Sequence, residues 1–339
     1  LFMEMGTGKS KVLVDNIAML YDRGAIRGAL IIAPKGVYKN WNDIEFPVHM
    51  PDHVEHTKVL WEPNITKKKQ LELDTLFDGN EDLKILIMNV EAFSTQKGLD
   101  FAHSFLNIFL GRALIGVDES TTIKSPTAKR TKNILKIGNL AKYRRILTGS
   151  PVTKSPLDLY TQCSFLDPFH LDFSSYYTFR ARYANMVKRN FGGRSVQLVT
   201  SYRRLDELAT KLEKFSYRVL KEDCLDLPPK VFTTRTVELS EEQKKMYLTM
   251  KKAAIAEHDG KIMSSMSALT TLLRLHQITC GTFKADDDTI THLQNNRIQA
   301  LMDCLEEVEG KAIIWATYRE DIKKIVESLK KAYGDASTV

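Results

Sequence analysis

Short apolar runs and longer amphipathic stretches alternate through the first half of the chain. Residues 11–23 carry Val12, Leu13, Ile17, Leu20 and Tyr21 on one stripe at helical spacing, and Gly24 follows as a stop signal. The runs at 29–33, 84–88, 113–117 and 145–147 are short and rich in Ile, Leu, Val and Ala. Each ends at a polar or turn-forming residue: Pro34, Asn89, Asp118 and Thr148-Gly149. Strands buried on both faces read this way, and they assemble with their polar ends at one edge of a parallel sheet. The pattern predicts an α/β fold with helices on both faces of that sheet. From Pro156 to about Phe215 the strand signal fades into basic, aromatic-rich stretches. These are expected to form a helical insertion, about 155–215, with a turn at Gly192-Gly193.

Leu227-Pro228-Pro229-Lys230 reads as a linker. Beyond it, 231–239 is expected to be a strand, and Ser240-Glu241-Glu242-Gln243 is a capping-box signature opening a helix. Two more helices follow, one ending near Gly281. Asp286-Asp287-Asp288 reads as an exposed loop, 311–317 as another buried strand, and 319–332 as a helix.

Composition narrows the function. The chain has 339 residues, enough for about two domains. No apolar run approaches the ~18 residues of a membrane span. Cys163, Cys224, Cys280 and Cys304 lie far apart, which argues against a disulfide scaffold or zinc ribbon and fits a reducing compartment. His276 and Cys280 stand at i, i+4 and are expected to pack in a core. The net charge of +7 hides an asymmetry: residues 122–204 hold 16 Lys/Arg against 3 Asp/Glu, and the rest holds 33 against 39. A basic block in an otherwise acidic chain suggests a polyanionic partner.

Three strand-end motifs carry chemistry. Met5-Gly6-Thr7-Gly8-Lys9-Ser10 lies between a strand and a helix, where glycines can turn backbone N–H groups around phosphate oxygens. Lys9 would reach the β- and γ-phosphates and the Ser10 hydroxyl would ligate Mg²⁺, although Met3 occupies the first glycine position of the strict motif. Asp118-Glu119 follows an apolar strand. Asp118 can hold Mg²⁺ and Glu119 can orient and deprotonate an attacking water. Thr148-Gly149-Ser150 closes a third strand, and its hydroxyls could hydrogen-bond the acidic pair.

The ordered set MEMGTGKS, IIAPKGVYKNW, VDEST, LTGSPV, LDLPPK, LRLHQITCG and AIIWATYRED resembles the Swi/Snf-related ATPases of helicase superfamily two over nearly the whole chain. The resemblance implies two RecA-like lobes, ATP and Mg²⁺ as substrate and cofactor, and double-stranded DNA as partner, with hydrolysis driving movement along the DNA. It assigns phosphate binding to Gly6, Thr7, Gly8, Lys9 and Ser10, and catalysis to Lys9, Asp118 and Glu119. It further assigns Mg²⁺ to Ser10 and Asp118, and coupling to Thr148, Gly149 and Ser150. Lys35, Asn40 and Trp41 match a segment that lies near DNA in the family, and Lys124 matches a basic position after the acidic pair. Lys129 and Arg130 join this DNA set from the basic block. Thr121 departs from the family, which often has His there. The adenine-reading segment and the arginine finger, worth roughly 10³ or more in rate, are expected outside residues 1–339. The chain therefore reads as a fragment with weak turnover alone.

The organisation expected is a first RecA-like lobe at 1–222, then a linker and an incomplete second lobe at 223–339. An RNA helicase or restriction-type translocase shares this engine, and a nucleic-acid-binding scaffold without turnover is the rival from another class. The compartment expected is intracellular: cytoplasmic for a prokaryotic or viral source, nuclear for a eukaryotic one.

Overall fold

A computed structural model describes residues 1–191, 194–256, 265–284 and 289–335. The turn expected at Gly192-Gly193 and the loop at Asp286-Asp287-Asp288 lie outside the described residues. The chain divides into two compact units, Leu1–Pro228 and Pro229–Val339.

The first unit is built on a five-stranded parallel sheet of β2 (Gly28–Ala33), β3 (His56–Leu60), β4 (Leu83–Asn89), β5 (Ala113–Asp118) and β6 (Tyr143–Leu147), in the order β3-β4-β2-β5-β6. Alternate residues of the central strand feed two apolar layers. Ala29, Ile31 and Ala33 join Leu13, Val14 and Ile17 of α1 (Lys9–Asp22) on one face. Leu30 and Ile32 join Phe105 of α3 (Gln96–Ile108) and Ile134 of α4 (Lys129–Gly138) on the other. Helix α2 (Lys67–Asp74) adds Leu73 to that second layer. Burial on both faces is why these strands read as continuous apolar runs. Parallel pairing needs long crossovers, and these place all the strand carboxyl ends together.

A short strand, β1 (Phe2–Met3), pairs in parallel with β9 (Arg218–Val219) and bridges to Thr148 just beyond β6. The loop after β1 thus sits beside the end of β6. Gly116 in β5 brings α1 close: a Cβ there would lie 2.8 Å from Leu13 Cδ2, so a side chain at this position would lift α1 off the strand.

The segment expected to be a helical insertion is only partly helical. Helices α5 (Leu159–Leu166), α6 (Tyr176–Tyr183) and α7 (Leu205–Glu213) are present. Between α6 and α7 stands an antiparallel hairpin of β7 (Ala184–Phe191) and β8 (Arg194–Tyr202). Its β-branched residues recur in the pleated register, with Val187 opposite Leu198 and Arg189 opposite Val196. A basic, aromatic composition does not distinguish helix from strand; the Gly-Gly pair between two such runs was the hairpin signal.

In the second unit, α8 (Glu241–Ala256) opens on the expected capping box. The Gln243 N–H donates to Ser240 Oγ at 3.2 Å, and the Ser240 N–H donates to Gln243 Oε1 at 3.0 Å. Helix α9 (Ser265–Cys280) packs on α8. It leads through Gly281, at φ +87°, into an antiparallel ribbon of β10 (Thr282–Lys284) and β11 (Ile290–His292). Helices α10 (Arg297–Glu306) and α11 (Arg319–Tyr333) follow. The strands expected at 231–239 and 311–317 do not form. Phe232, Ile313 and Trp315 are 89%, 82% and 90% exposed. An apolar run becomes a buried strand only where a neighbour completes its ladder, and no described strand pairs with either segment. Cys280 is buried as expected, but His276 is exposed and its Nδ1 lies 2.8 Å from the Tyr318 hydroxyl. Among the described residues no helix is long and apolar enough to cross a membrane, and no His/Cys/Asp/Glu cluster could hold a metal ion.

Candidate active site

The loop after β1 takes the shape its glycines allow. Gly6 and Gly8 stand at φ +85° and +90°, a region that side chains rarely enter, and open space faces Gly8 where a Cβ would project. Gly8 is also the N-cap of α1 and supplies no side-chain cap, so the first N–H groups of that helix point outward with the positive end of its dipole. Lys9 and Ser10 begin the helix, both half-buried. The Lys9 ammonium donates to the Glu4 carbonyl at 3.1 Å, and the Thr7 hydroxyl donates to the same oxygen at 2.7 Å. Glu4 is itself anchored, because its carboxylate accepts from the Lys221 N–H at 2.6 Å.

Asp118 ends β5. Its Oδ1 accepts from the Glu119 N–H at 2.9 Å and its Oδ2 from the Trp41 indole N–H at 3.0 Å. Burial pushes the Asp118 pKa above the usual carboxylate value, while both hydrogen bonds and the Lys9 charge pull the other way. Glu119 adopts φ 45°, ψ 61°, a left-handed conformation that costs a non-glycine residue about 1–3 kcal/mol. The twist is matched by a partner: the Thr148 hydroxyl donates to Glu119 Oε2 at 3.2 Å. Thr148 Oγ1 also accepts from the Ser150 N–H at 3.2 Å. Gly149 lies against the start of the loop after β1, since a Cβ there would be 3.6 Å from the Met3 carbonyl oxygen. Lys9, Asp118, Glu119, Thr148, Gly149 and Ser150 are thus gathered at one sheet edge. Ser10 and Asp118 offer a hydroxyl and a carboxylate, a hard oxygen donor set that suits Mg²⁺.

The residues expected at a DNA surface separate. Lys35, Asn40 and Lys129 are exposed. Trp41 is 1% exposed and bound to Asp118, so it serves the carboxylate rather than a surface. Lys124 hydrogen-bonds the Thr153 hydroxyl and lies 3.8 Å from Asp158, and Arg130 Nε donates to the Thr122 carbonyl at 3.1 Å. Further along the block, Arg182 pairs with Glu207 at 2.5 Å, and Arg203 donates to the Ala181 and Arg182 carbonyls. Part of the basic block therefore holds the fold together. Lys132, Lys136, Lys142, Lys154, Lys188 and Arg189 are exposed.

The motifs did not single out Gln162. Its buried amide accepts from Ser120 Oγ at 2.7 Å and donates to the Pro151 and Asp158 carbonyls, each at 2.8 Å. It ties the residue after the acidic pair to the residue after the Thr148-Gly149-Ser150 turn. A polar residue amid the apolar positions of α5 was the one available signal.

The SNF2-related domain family matches residues 1–283, and the chain belongs to that family. It is 28% identical to the helicase-like transcription factor of Mus musculus over 265 residues, covering 76% of this chain and 24% of that protein. It is 24% identical to an ATP-dependent helicase of Mycoplasma genitalium over 334 residues, covering 96% of this chain and 29% of the relative. The chain thus spans about a quarter of the length of these relatives. The solved Sulfolobus solfataricus SWI2/SNF2 ATPase core in complex with dsDNA superposes with a TM-score of 0.48 at 22% identity, over 97% of this chain and 64% of that one.

Proposed function

We propose that the chain is the nucleotide-binding part of an ATP hydrolase that moves along double-stranded DNA. Residues 1–222 serve as its first lobe, and residues 223–339 as linker and start of a second lobe. The observation that carries the reading is the convergence of three strand-end motifs: Gly149 lies against the start of the loop that carries Lys9, and Thr148 is hydrogen-bonded to Glu119. The N–H groups of the Gly6–Ser10 loop cradle the phosphates, and Lys9 leaves the Glu4 carbonyl to neutralise the β- and γ-oxygens. Ser10 and Asp118 would hold Mg²⁺, which when bound would supply charge neutralisation for phosphoryl transfer. Glu119 accepts the proton of the attacking water. Thr148 reports the state of Glu119 to the turn that follows β6, where Gln162 passes it to the loop around Asp158. DNA phosphates meet exposed lysines of the 122–204 block together with Lys35 and Asn40. ATP and DNA as partners place the protein inside the cell.

Steady-state ATPase of residues 1–339 and of a longer form of the protein, each with and without duplex DNA, tests the reading. Duplex DNA should raise turnover of the longer form at least tenfold. Turnover that ignores duplex DNA and responds to RNA would favour the RNA helicase instead.

A further inference from the structure

We propose that Trp41 is a positioning residue for the metal-binding carboxylate, its indole N–H holding Asp118 in the orientation that receives Mg²⁺. The inference rests on the reading of Asp118 above and extends it to a residue 77 positions away in sequence.

Trp41 stands in a five-residue π-helical turn, Trp41–Glu45, between two short helical pieces, Tyr38–Asn40 and Phe46–His49, that follow β2. Such wide turns are uncommon and recur at functional sites. This one is fixed from three sides. The Trp41 ring packs on Phe46 with centroids 5.8 Å apart. Lys58 of β3 donates to the Asn42 carbonyl at 2.9 Å. The indole itself lies in the apolar layer shared with α1. The turn therefore aims one N–H from a rigid base at Asp118 Oδ2, 3.0 Å away. With the Glu119 N–H on Oδ1, each carboxylate oxygen keeps a lone pair free. Oriented this way, the carboxylate loses no rotamer freedom when the ion arrives.

Packing alone does not account for the contact. Trp61 is just as buried, at 1% exposed, yet its indole nitrogen has no hydrogen-bond partner among the described residues. Burial of an indole does not by itself bring a protein partner to its N–H, and at Trp41 that partner is the Asp118 carboxylate. Outer partners of metal ligands typically cost 10–100-fold in metal affinity when removed.

The test uses the 339-residue chain and a fluorescent, non-hydrolysable ATP analogue, and reads binding rather than turnover. Nucleotide affinity is measured in EDTA and then across a Mg²⁺ titration for wild type, Trp41→Phe and Asp118→Asn. A fourth protein carries benzothienylalanine at position 41, which keeps the size of indole and lacks the N–H. The expected result is a half-saturating Mg²⁺ concentration about tenfold higher for both position-41 variants, with EDTA affinity within twofold of wild type. Wild-type Mg²⁺ dependence in both, beside its loss in Asp118→Asn, would overturn the role of Trp41 and leave the Asp118 reading intact. Unchanged Mg²⁺ dependence in Asp118→Asn would overturn both. A fall in EDTA affinity matching the Mg²⁺ effect would make Trp41 a packing residue only.

Discussion

Single residues divide the site into groups that hold the nucleotide and groups that act on it. In the proposed function Lys9 would place a point charge on the phosphates and take no part in proton transfer. Lys9→Ala should therefore weaken nucleotide binding at least about tenfold, a loss of about 1.4 kcal/mol, and equilibrium titration with ATP checks it. Glu119→Gln keeps the shape and the Thr148 contact but loses the base. Nucleotide affinity should stay near wild type while turnover of the longer form falls about 10²–10⁴-fold, which binding and steady-state ATPase measured side by side will separate. The sequence marks these positions because phosphate, metal and water demand such residue types, and the structure brings Glu119 and Thr148 into contact. Trp41 and Gln162 were not read correctly. The family resemblance placed Trp41 near DNA, whereas its burial and its hydrogen bond to Asp118 set it inside the fold. An amide on an apolar helix carries no local mark of the two loops it joins.

At the scale of elements, the site depends on loops being held to one another by buried polar groups. Replacing the Gln162 amide by Leu removes the buried partner shared by the Ser120 hydroxyl and the Pro151 and Asp158 carbonyls. Each buried group left unsatisfied costs about 1–3 kcal/mol, so Gln162→Leu should lower the melting temperature by several degrees. Ser120→Ala, which removes one leg, should cost less. Asp158 provides a pH test of the same region. Burial disfavours its charge, but the Lys154 and Thr153 N–H groups, the Thr153 hydroxyl and the Lys124 charge outweigh it and hold its pKa below the ordinary 3.8. A carboxylate depressed on folding stabilises above its unfolded pKa, and that stability is lost as pH falls through the folded one. The stability advantage of wild type over Asp158→Asn should thus be full at pH 7 and shrink only below pH 3.8, as acid unfolding curves will show. The central strands were readable because burial on both faces leaves no alternation to misread. The hairpin was not, since its strands are exposed on both faces and share the composition of the flanking helices. The runs at 231–239 and 311–317 show the opposite failure, apolar strand patterns without a ladder to join.

At the scale of the whole molecule, the proposed function joins a nucleotide site at one sheet edge to a basic surface that would bind DNA phosphates without reading sequence. Lys129, Lys132 and Lys136 form one exposed stripe of α4. Each lysine paired with a phosphate adds about 0.9 to the negative log–log salt slope on duplex DNA. Reversing all three to Glu should weaken binding and flatten that slope, whereas reversing Lys67, Lys68 and Lys69 should do much less; anisotropy titrations in rising salt will compare them. The basic block was visible as a count, but not which of its charges serve the fold. Arg130, Arg182 and Arg203 are spent on carbonyls and a carboxylate of the protein itself. The central claim, that the three strand-end motifs form one nucleotide site, is tested most directly by equilibrium binding of ATP with Mg²⁺ to the 339-residue chain and to its Lys9→Ala variant. Saturable binding by wild type and at least a tenfold loss in the variant are expected; equal binding by the two, or none by either, would contradict a shared nucleotide site.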